Sequence, residues 1–208
     1  MKKIVLTSLI LLLTIGMMAQ NDKKAQTILN DLSATTKSYK SIRIEFTYKM
    51  ENAAKKINES YKGVLISKGD KYKLTFSGQE VICDSKTVWT YLKDANEVQI
   101  NSVNTDDDSF TPTKLLSSYN KDYRPKLIKE TSQIQTIELV PIKKKNFTKV
   151  RATIDRTKKM INTISIYDKN GSIYSYIVNK MDVNQPFTDS MFTFKAASHP
   201  GVDEIDMR

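Results

Sequence analysis

The single histidine and the single cysteine are the two residues of this chain best suited to chemistry. Any hydrolytic triad or histidine-containing metal site would have to include His199, which precedes Pro200-Gly201 near the C-terminus. These neighbours are typical of a turn and favour a structural role. Cys83 follows the apolar pair Val81-Ile82, and no histidine is near it in sequence, so a small buried core residue is the better interpretation. One cysteine cannot form an intramolecular disulfide.

Other catalytic and metal-binding patterns are also missing from the sequence. The acidic run over residues 106–108 lacks the spaced carboxylates and terminal Glu of a calcium loop, so a solvated loop is the better interpretation. The six glycines are scattered and form no phosphate-binding loop. Basic clusters at residues 143–145 and 156–159 fall in predicted hairpin turns, where lysines usually keep sheet edges soluble. The sequence therefore predicts a protein that is not an enzyme and has no metal site or cofactor.

The N-terminus has the pattern of a secretory signal peptide. Lys2 and Lys3 precede an apolar run over residues 4–15, and Ala19 supplies the small residue of a cleavage point. The run is shorter than the about 20 residues that a membrane-spanning helix needs. No cysteine near its end would allow attachment of a bacterial lipid anchor. We expect residues 1–19 to be removed and residues 20–208 to form a single domain outside the cytoplasm.

The charge balance is basic, with a formal net charge of +10 at pH 7. Such a balance suggests an anionic partner. We expect no nucleic-acid partner, because an exported protein does not meet nucleic acid. An anionic lipid surface or an acidic protein remains, and an ordinary solvated basic surface is an equal alternative.

Most of the chain alternates apolar and polar residues with a period of two, which predicts strands. One amphipathic helix that includes Ile28 and Leu32 comes first, and residues 113–120 form a second short helix. Between and after them, short strands separated by turns predict an antiparallel sheet or barrel. One sheet face carries large apolar side chains and must be covered. Either a packed core covers it, which general physics favours, or it surrounds a cavity.

Several stretches resemble the LolA family of outer-membrane lipoprotein carriers of Gram-negative bacteria. The most specific is residues 81–91, similar to the family's strand, Asp-Gly-Lys turn and Trp-x-Tyr strand, with Ser85 in the glycine position. Residues 63–68 are similar to its Gly-x-Leu-x-x-Lys strand, and residues 111–116 to its helix. Phe192-Thr193-Phe194 and the segment from Gly201 match its closing pattern. The likeness covers nearly all of the mature chain.

The resemblance implies a mainly β fold with a few helices: an unclosed antiparallel β-barrel with a helical lid over an apolar cavity. The apolar residues expected to line that cavity are Phe46, Tyr48, Leu65, Leu74, Phe76, Trp89 and Tyr91. The apolar residues expected to form the lid are Ile28, Leu32, Leu115, Leu116 and Tyr119. The family's lid-holding Arg-Pro pair is replaced by Gly69-Asp70, which predicts a less firmly closed lid unless Lys68 or Lys71 takes over.

The function that the resemblance implies is a periplasmic chaperone that binds the acyl chains of lipoproteins. It would receive them from an inner-membrane releasing complex and deliver them to an outer-membrane receptor. The sequence does not give the oligomeric state, and a monomer is favoured. Three alternatives stay open. The chain could carry another lipid or acylated precursor on the same fold, it could be a receptor-like paralogue, or it could be an interaction module with a filled core and no ligand.

Overall fold

The computed structural model describes residues 22–103, 119 and 121–208. These residues form twelve strands and a helix, α1, over residues 22–38, so the predicted mainly β class is confirmed. The chain divides into two compact units, which we describe separately. The helical unit comprises the described residues up to 36 and those from 119 to 173, and the aromatic unit comprises residues 37–103 and 174–208. The cleaved leader and the single domain over residues 20–208 stay predictions.

The helical unit contains α1 and four strands. They are β7 (Tyr123–Glu130), β8 (Ile134–Pro141), β9 (Phe147–Asp155) and β10 (Met160–Asp168). Their order is β10-β9-β8-β7, and each neighbouring pair is antiparallel. Alternate residues such as Ile137, Leu139 and Val150 are fully buried, because successive side chains point to opposite faces. On α1, Ala25, Leu29 and Leu32 are buried at helical spacing.

The aromatic unit contains the other eight strands. They are β1 (Ile42–Asn52), β2 (Ile57–Lys68), β3 (Lys71–Phe76), β4 (Gln79–Cys83), β5 (Thr87–Leu92), β6 (Glu97–Ser102), β11 (Ile173–Val183, which enters the unit at its second residue) and β12 (Asp203–Asp206). Their order is β12-β6-β5-β4-β3-β2-β1-β11. Neighbours from β1 to β6 are antiparallel, whereas β12 adds to β6 in parallel. Among the described strands this order is linear, so the sheet is open, as predicted.

The turn between β4 and β5 explains how serine replaces the family glycine there. Ser85 has a φ of 86°, in the left-handed region that favours glycine. The Asp84 carboxylate accepts hydrogen bonds from the backbone N–H groups of Lys86 and Thr87, both at 2.8 Å. These two bonds fix the turn through the aspartate side chain. Ser85 therefore occupies a conformation that the preceding residue stabilises.

The C-terminal segment of the aromatic unit, residues 189–199, is bound to the β2–β3 hairpin by ion pairs. It contains two 3-10 turns, Asp189–Phe192 and Ala196–Ser198, and it buries Phe192 completely. The ammonium groups of Lys68 and Lys71 each lie 2.8 Å from the Asp189 carboxylate. Both lysines that could have replaced the family's lid-holding arginine are thus paired with the C-terminal segment.

Candidate ligand-binding site

One face of the aromatic unit gathers six aromatic rings from four neighbouring strands. Tyr48 of β1 is central, with its ring centroid 5.0 Å from Phe76, 5.3 Å from Tyr176 and 6.4 Å from Tyr174. Tyr61 of β2 lies 6.0 Å from Phe76 in an edge-to-face arrangement. The sixth ring belongs to Phe46, 6.1 Å from both Phe76 and Tyr176. These distances are those of favourable aromatic pairs.

Strand register explains why the rings meet. Phe46 of β1 is opposite Gly63 of β2, which is in turn opposite Phe76 of β3. Directly opposed residues project on the same face, so the two phenylalanines flank the glycine. A Cβ atom at Gly63 would lie within 2.9 Å of three carbons of the Phe46 ring. The missing side chain at Gly63 therefore provides the space that the Phe46 ring occupies.

The same face continues with aliphatic residues. Ile44, Leu65 and Leu74 form the next row across β1, β2 and β3, two residues along each strand from the phenylalanine row. Leu65 and Leu74 are half-buried. The structure thus places five of the seven predicted cavity residues on one face: Phe46, Tyr48, Leu65, Leu74 and Phe76. We call these residues, with Tyr61, Tyr174 and Tyr176, the aromatic face.

Trp89 and Tyr91 are not brought together with those five. Trp89 of β5 is opposite Ile82 of β4, and Ile82 is opposite Lys73 of β3, so these three side chains share one face. The residue after Lys73 is Leu74, which belongs to the aromatic face. Because side chains alternate along a strand, Trp89 and Tyr91 project from the reverse face of the sheet. There they pack with Ile82, Val98 and Phe194 in a core covered by the C-terminal segment. These two predicted cavity residues therefore lie on the opposite face from the other five, and a cavity role for any of the seven stays a prediction.

His199 and Cys83 have structural surroundings. The His199 ring lies 4.5 Å from both Tyr91 and Phe194, and its Nδ1 is 3.0 Å from the Lys195 carbonyl oxygen. Cys83 is buried, as predicted, and burial raises the pKa of its thiol. Within the described ranges, no group of three or more His, Cys, Asp or Glu side chains could hold a metal ion.

The predicted lid is described only in part. Leu115 and Leu116 lie outside the described residues. Leu32 is buried and Ile28 is half-buried on α1. Tyr119 is buried, and its hydroxyl donates a hydrogen bond to the side-chain oxygen of Asn30. The lid role of these residues stays a prediction.

Burial raises the pKa of two tyrosines of the aromatic face. Burial is the main cause that raises the pKa of Tyr48 to about 12, with smaller contributions from Tyr176, Tyr174, Glu59 and Tyr61. Burial also raises the pKa of Tyr176. The Tyr61 hydroxyl donates to the Glu59 carboxylate at 3.1 Å. The face can therefore offer stacking surface and a few phenolic donors.

On β1, the reverse face, which lies on the other side of the sheet from Phe46, is polar. Arg43 and Glu45 alternate with the apolar residues of β1, and their side chains pair at 2.7 Å. With Lys180, Asp182 and Gln185 they line an open concavity of about 540 Å³. An apolar ligand would gain little there, because ionic groups would lose hydration.

Sequence reasoning missed Tyr61, Tyr174 and Tyr176. Tyr174 and Tyr176 alternate with Ser175 in β11, the period that a strand face requires. An isolated glycine within a strand, such as Gly63, marks a close approach by a neighbouring group. Both signals are in the sequence, but only strand pairing shows that they concern the same face.

Comparisons with known proteins agree with this architecture. The family model described as "Outer membrane lipoprotein carrier protein LolA" matches residues 37–195. No curated protein matches the chain. An uncharacterized conserved protein from Thermus thermophilus has a similar structure, with a TM-score of 0.60 and 11% identity over 88% of this chain and 99% of that one.

Two further solved structures are similar at lower scores. A LolA superfamily protein from Nitrosomonas europaea has a TM-score of 0.45 and 13% identity, covering 82% of this chain and 97% of that one. Lipoprotein LppX of Mycobacterium tuberculosis has a TM-score of 0.46 and 10% identity, covering 80% of this chain and 98% of that one. Among the described residues, no helix is long and apolar enough to cross a membrane.

Proposed function

We propose a function for this protein on the basis that the chain belongs to the LolA family of outer-membrane lipoprotein carriers. The proposed function is to bind the acyl chains of lipidated proteins on the aromatic face and to release them unchanged. Binding and release need no catalytic group, metal or cofactor.

The observation that carries this proposal is the half-buried aromatic face. Its rings pack against one another, yet Tyr61 keeps 39% of its surface exposed, and Tyr48, Phe76, Tyr174 and Tyr176 are only partly buried. Burying an acyl chain contributes about 0.8 kcal/mol per CH₂ group, so one chain supplies ample affinity. Because this attraction is not directional, a receptor with a better-formed apolar site can take the chain over.

Family membership supports a physiological cycle for this protein. An exported carrier would take lipoproteins from a releasing complex at the inner membrane of a Gram-negative cell. It would cross the periplasm as a monomer and deliver them to a receptor at the outer membrane. The lid residues Ile28, Leu32, Leu115, Leu116 and Tyr119 would cover the acyl chains during transit.

A second candidate is a carrier for a different lipid or acylated precursor. Four of the six rings of the aromatic face are tyrosines, whose hydroxyl groups could pair with polar atoms along a ligand. A plain acyl chain offers no partner for these hydroxyls. A ligand with ring or oxygen functions would use them.

Mass spectrometry of the lipids that co-purify with the protein separates the two candidates. Acylated peptides or lipoproteins support the first, and a non-peptide lipid supports the second. A protein that carries no lipid, and takes up none when offered a synthetic lipopeptide, would be the interaction module with a filled core.

Paired alanine variants test the binding face. Phe76→Ala should weaken binding of a triacylated lipopeptide at least ten-fold in calorimetry, because the variant loses one half-buried ring from the face. The matched control is Trp89→Ala, which removes a half-buried ring from the reverse face and should change affinity less than two-fold. Equal losses in both variants would contradict the assignment.

A further inference from the structure

The helical unit has two lysine-rich turns whose surroundings differ. In the turn between β9 and β10, the Arg156 guanidinium donates to the Thr131 carbonyl at 2.5 Å and lies 3.7 Å from the Glu130 carboxylate. That turn is thereby tied to the β7–β8 connection. In the turn between β8 and β9, residues 143–145 are all lysines and follow directly on an exposed apolar segment.

The apolar segment beside the second of these turns is exposed. Val140 keeps 42% and Ile142 keeps 49% of its surface exposed, whereas Leu139 between β7 and β9 is fully buried. The segment is held in place, because the backbone N–H of Ile142 donates to the Asp122 carbonyl at 2.8 Å. At the start of β9, the Phe147 ring stacks on Tyr123 with centroids 6.3 Å apart. The exposure of Ile142 is therefore a feature of a fixed hairpin base.

Cations from two turns meet around this segment. Lys143, Lys144, Lys145 and Lys169 line one open concavity of about 260 Å³ together with Ile142 and Phe147. Arg124 is opposite Val140 in the β7–β8 pairing and adds a further exposed positive charge. Asp168, an acidic residue beside Lys169, accepts the backbone N–H of Asn170 at 3.2 Å.

We propose that this corner, residues 140–145 with Lys169, docks the protein on the surface of an anionic phospholipid bilayer. The lysine ammonium groups would lie among the phosphates while Val140 and Ile142 reach the boundary of the acyl region. Four lysines line the concavity, and the exposed side chains of Val140 and Ile142 lie beside them. Cations combined with exposed apolar side chains suit an anionic bilayer interface, which offers phosphates and an acyl region together. This surface belongs to the helical unit and shares no residue with the aromatic face, so the proposal does not depend on the proposed cargo.

Vesicle binding tests the proposal with charge-matched variants of the full chain. The parent protein should bind phosphatidylethanolamine vesicles that contain phosphatidylglycerol, and should not bind phosphatidylcholine vesicles. Each lysine near an anionic bilayer contributes about five-fold in affinity, equivalent to about 1 kcal/mol. Lys143→Gln/Lys144→Gln should therefore weaken binding about 25-fold, and Ile142→Ser about five-fold.

The control is Lys158→Gln/Lys159→Gln, which removes the same charge from the other turn and should change binding less than two-fold. Thermal unfolding of all variants, followed by circular dichroism, verifies that each one folds. Equal loss from both lysine pairs would show attraction by net charge alone and would overturn the proposal. Absence of parent binding to the anionic vesicles, or an Ile142→Ser variant that binds as the parent does, would also overturn it.

Discussion

The two faces of the aromatic unit both carry large aromatic side chains, but they differ in what covers them. On the reverse face, the C-terminal segment places Phe194 5.5 Å from Tyr91 and adds His199 against both rings. Phe194 and Tyr91 are consequently buried. On the aromatic face, Tyr48 and Phe76 pack edge to face and stay half-buried.

The difference shows that an apolar residue pattern alone does not identify a binding surface. The reverse face is a core because the chain supplies its own covering segment, fastened by Lys68 and Lys71. The aromatic face keeps exposed ring surface that a ligand can bury. Substitutions on the reverse face should therefore act mainly on stability, and those on the aromatic face mainly on binding.

Truncation of Phe194 should have the largest effect on stability. Phe194→Ala should lower the free energy of unfolding by about 3–5 kcal/mol, the usual cost of removing a buried phenylalanine. Phe76→Ala should cost clearly less, because its ring is already half-exposed. Chemical denaturation of both variants gives the comparison. Trp89, the only tryptophan, packs against the Phe194 cluster, so its emission should shift in Phe194→Ala. A larger loss in Phe76→Ala would reverse the assignment of the two faces.

Filling the space at Gly63 should cause the second-largest loss of stability. Gly63→Ala forces the Phe46 ring to move, which should cost about 1–3 kcal/mol of stability and also weaken lipopeptide binding. The double variant Gly63→Ala/Phe46→Leu, with a smaller side chain opposite, should recover part of the stability in the same denaturation experiment. No recovery would mean that the clash lies elsewhere.

The ion pairs of Asp189 with Lys68 and Lys71, which we call the clamp, should have a smaller, pH-dependent effect on stability. Hydrogen bonds from Lys68 and Lys71 lower the pKa of Asp189 to about 2. The folded-state pKa is below the unfolded value of about 3.9, so the stabilisation is present above that value and is lost as the pH falls toward 2. The midpoint temperature of thermal unfolding should therefore fall less steeply between pH 5 and 2 in Asp189→Asn than in the parent. Identical slopes in the parent and the variant would exclude the clamp.

The raised pKa of Tyr48 predicts the smallest effect. Burial raises the pKa of Tyr48 in the folded protein to about 12, above its ordinary value of 10.0. The contribution of neutral Tyr48 to the free energy of unfolding is therefore complete below pH 10 and is lost as the pH rises through 12. An ultraviolet titration of the parent should show tyrosine ionisation near pH 12 that is reduced in Tyr48→Phe. The control is Tyr39→Phe, a tyrosine outside the aromatic face. An unchanged titration in Tyr48→Phe would mean that Tyr48 is more hydrated than its ring contacts indicate.

Much of the fold could be predicted from the sequence, because alternation and turn residues are local signals. The strands around Phe46, Phe76 and Trp89 all follow from a period of two, and the turn at residues 84–86 from its aspartate. The pairing of faces is not a local signal. Val88 and Leu92 alternate with Trp89 and Tyr91 in β5, so both faces of that strand are apolar, and bulk alone does not tell which one binds a ligand.

The position of the C-terminal segment explains why Trp89 and Tyr91 are separated from the other predicted cavity residues. Phe192 and Phe194 match the family's closing pattern in sequence. In the structure Phe192 ends a 3-10 turn, and Phe194 follows it in a segment that packs on the reverse face. Nothing near Trp89 in sequence announces a covering segment about 100 residues later. The tyrosines of β11 were missed for the same reason, since their contacts with Tyr48 depend on pairing between distant strands.

Photo-crosslinking locates a bound acyl chain directly. A lipopeptide with a diazirine in its acyl chain is bound to the parent protein, irradiated, and the labelled residues are identified by peptide mass spectrometry. The account predicts labels on β1, β2, β3 and β11 at the aromatic face, with Phe46, Tyr48 and Phe76 foremost. Labels concentrated on Trp89, Tyr91 and Phe194, or spread evenly over both faces, would contradict it.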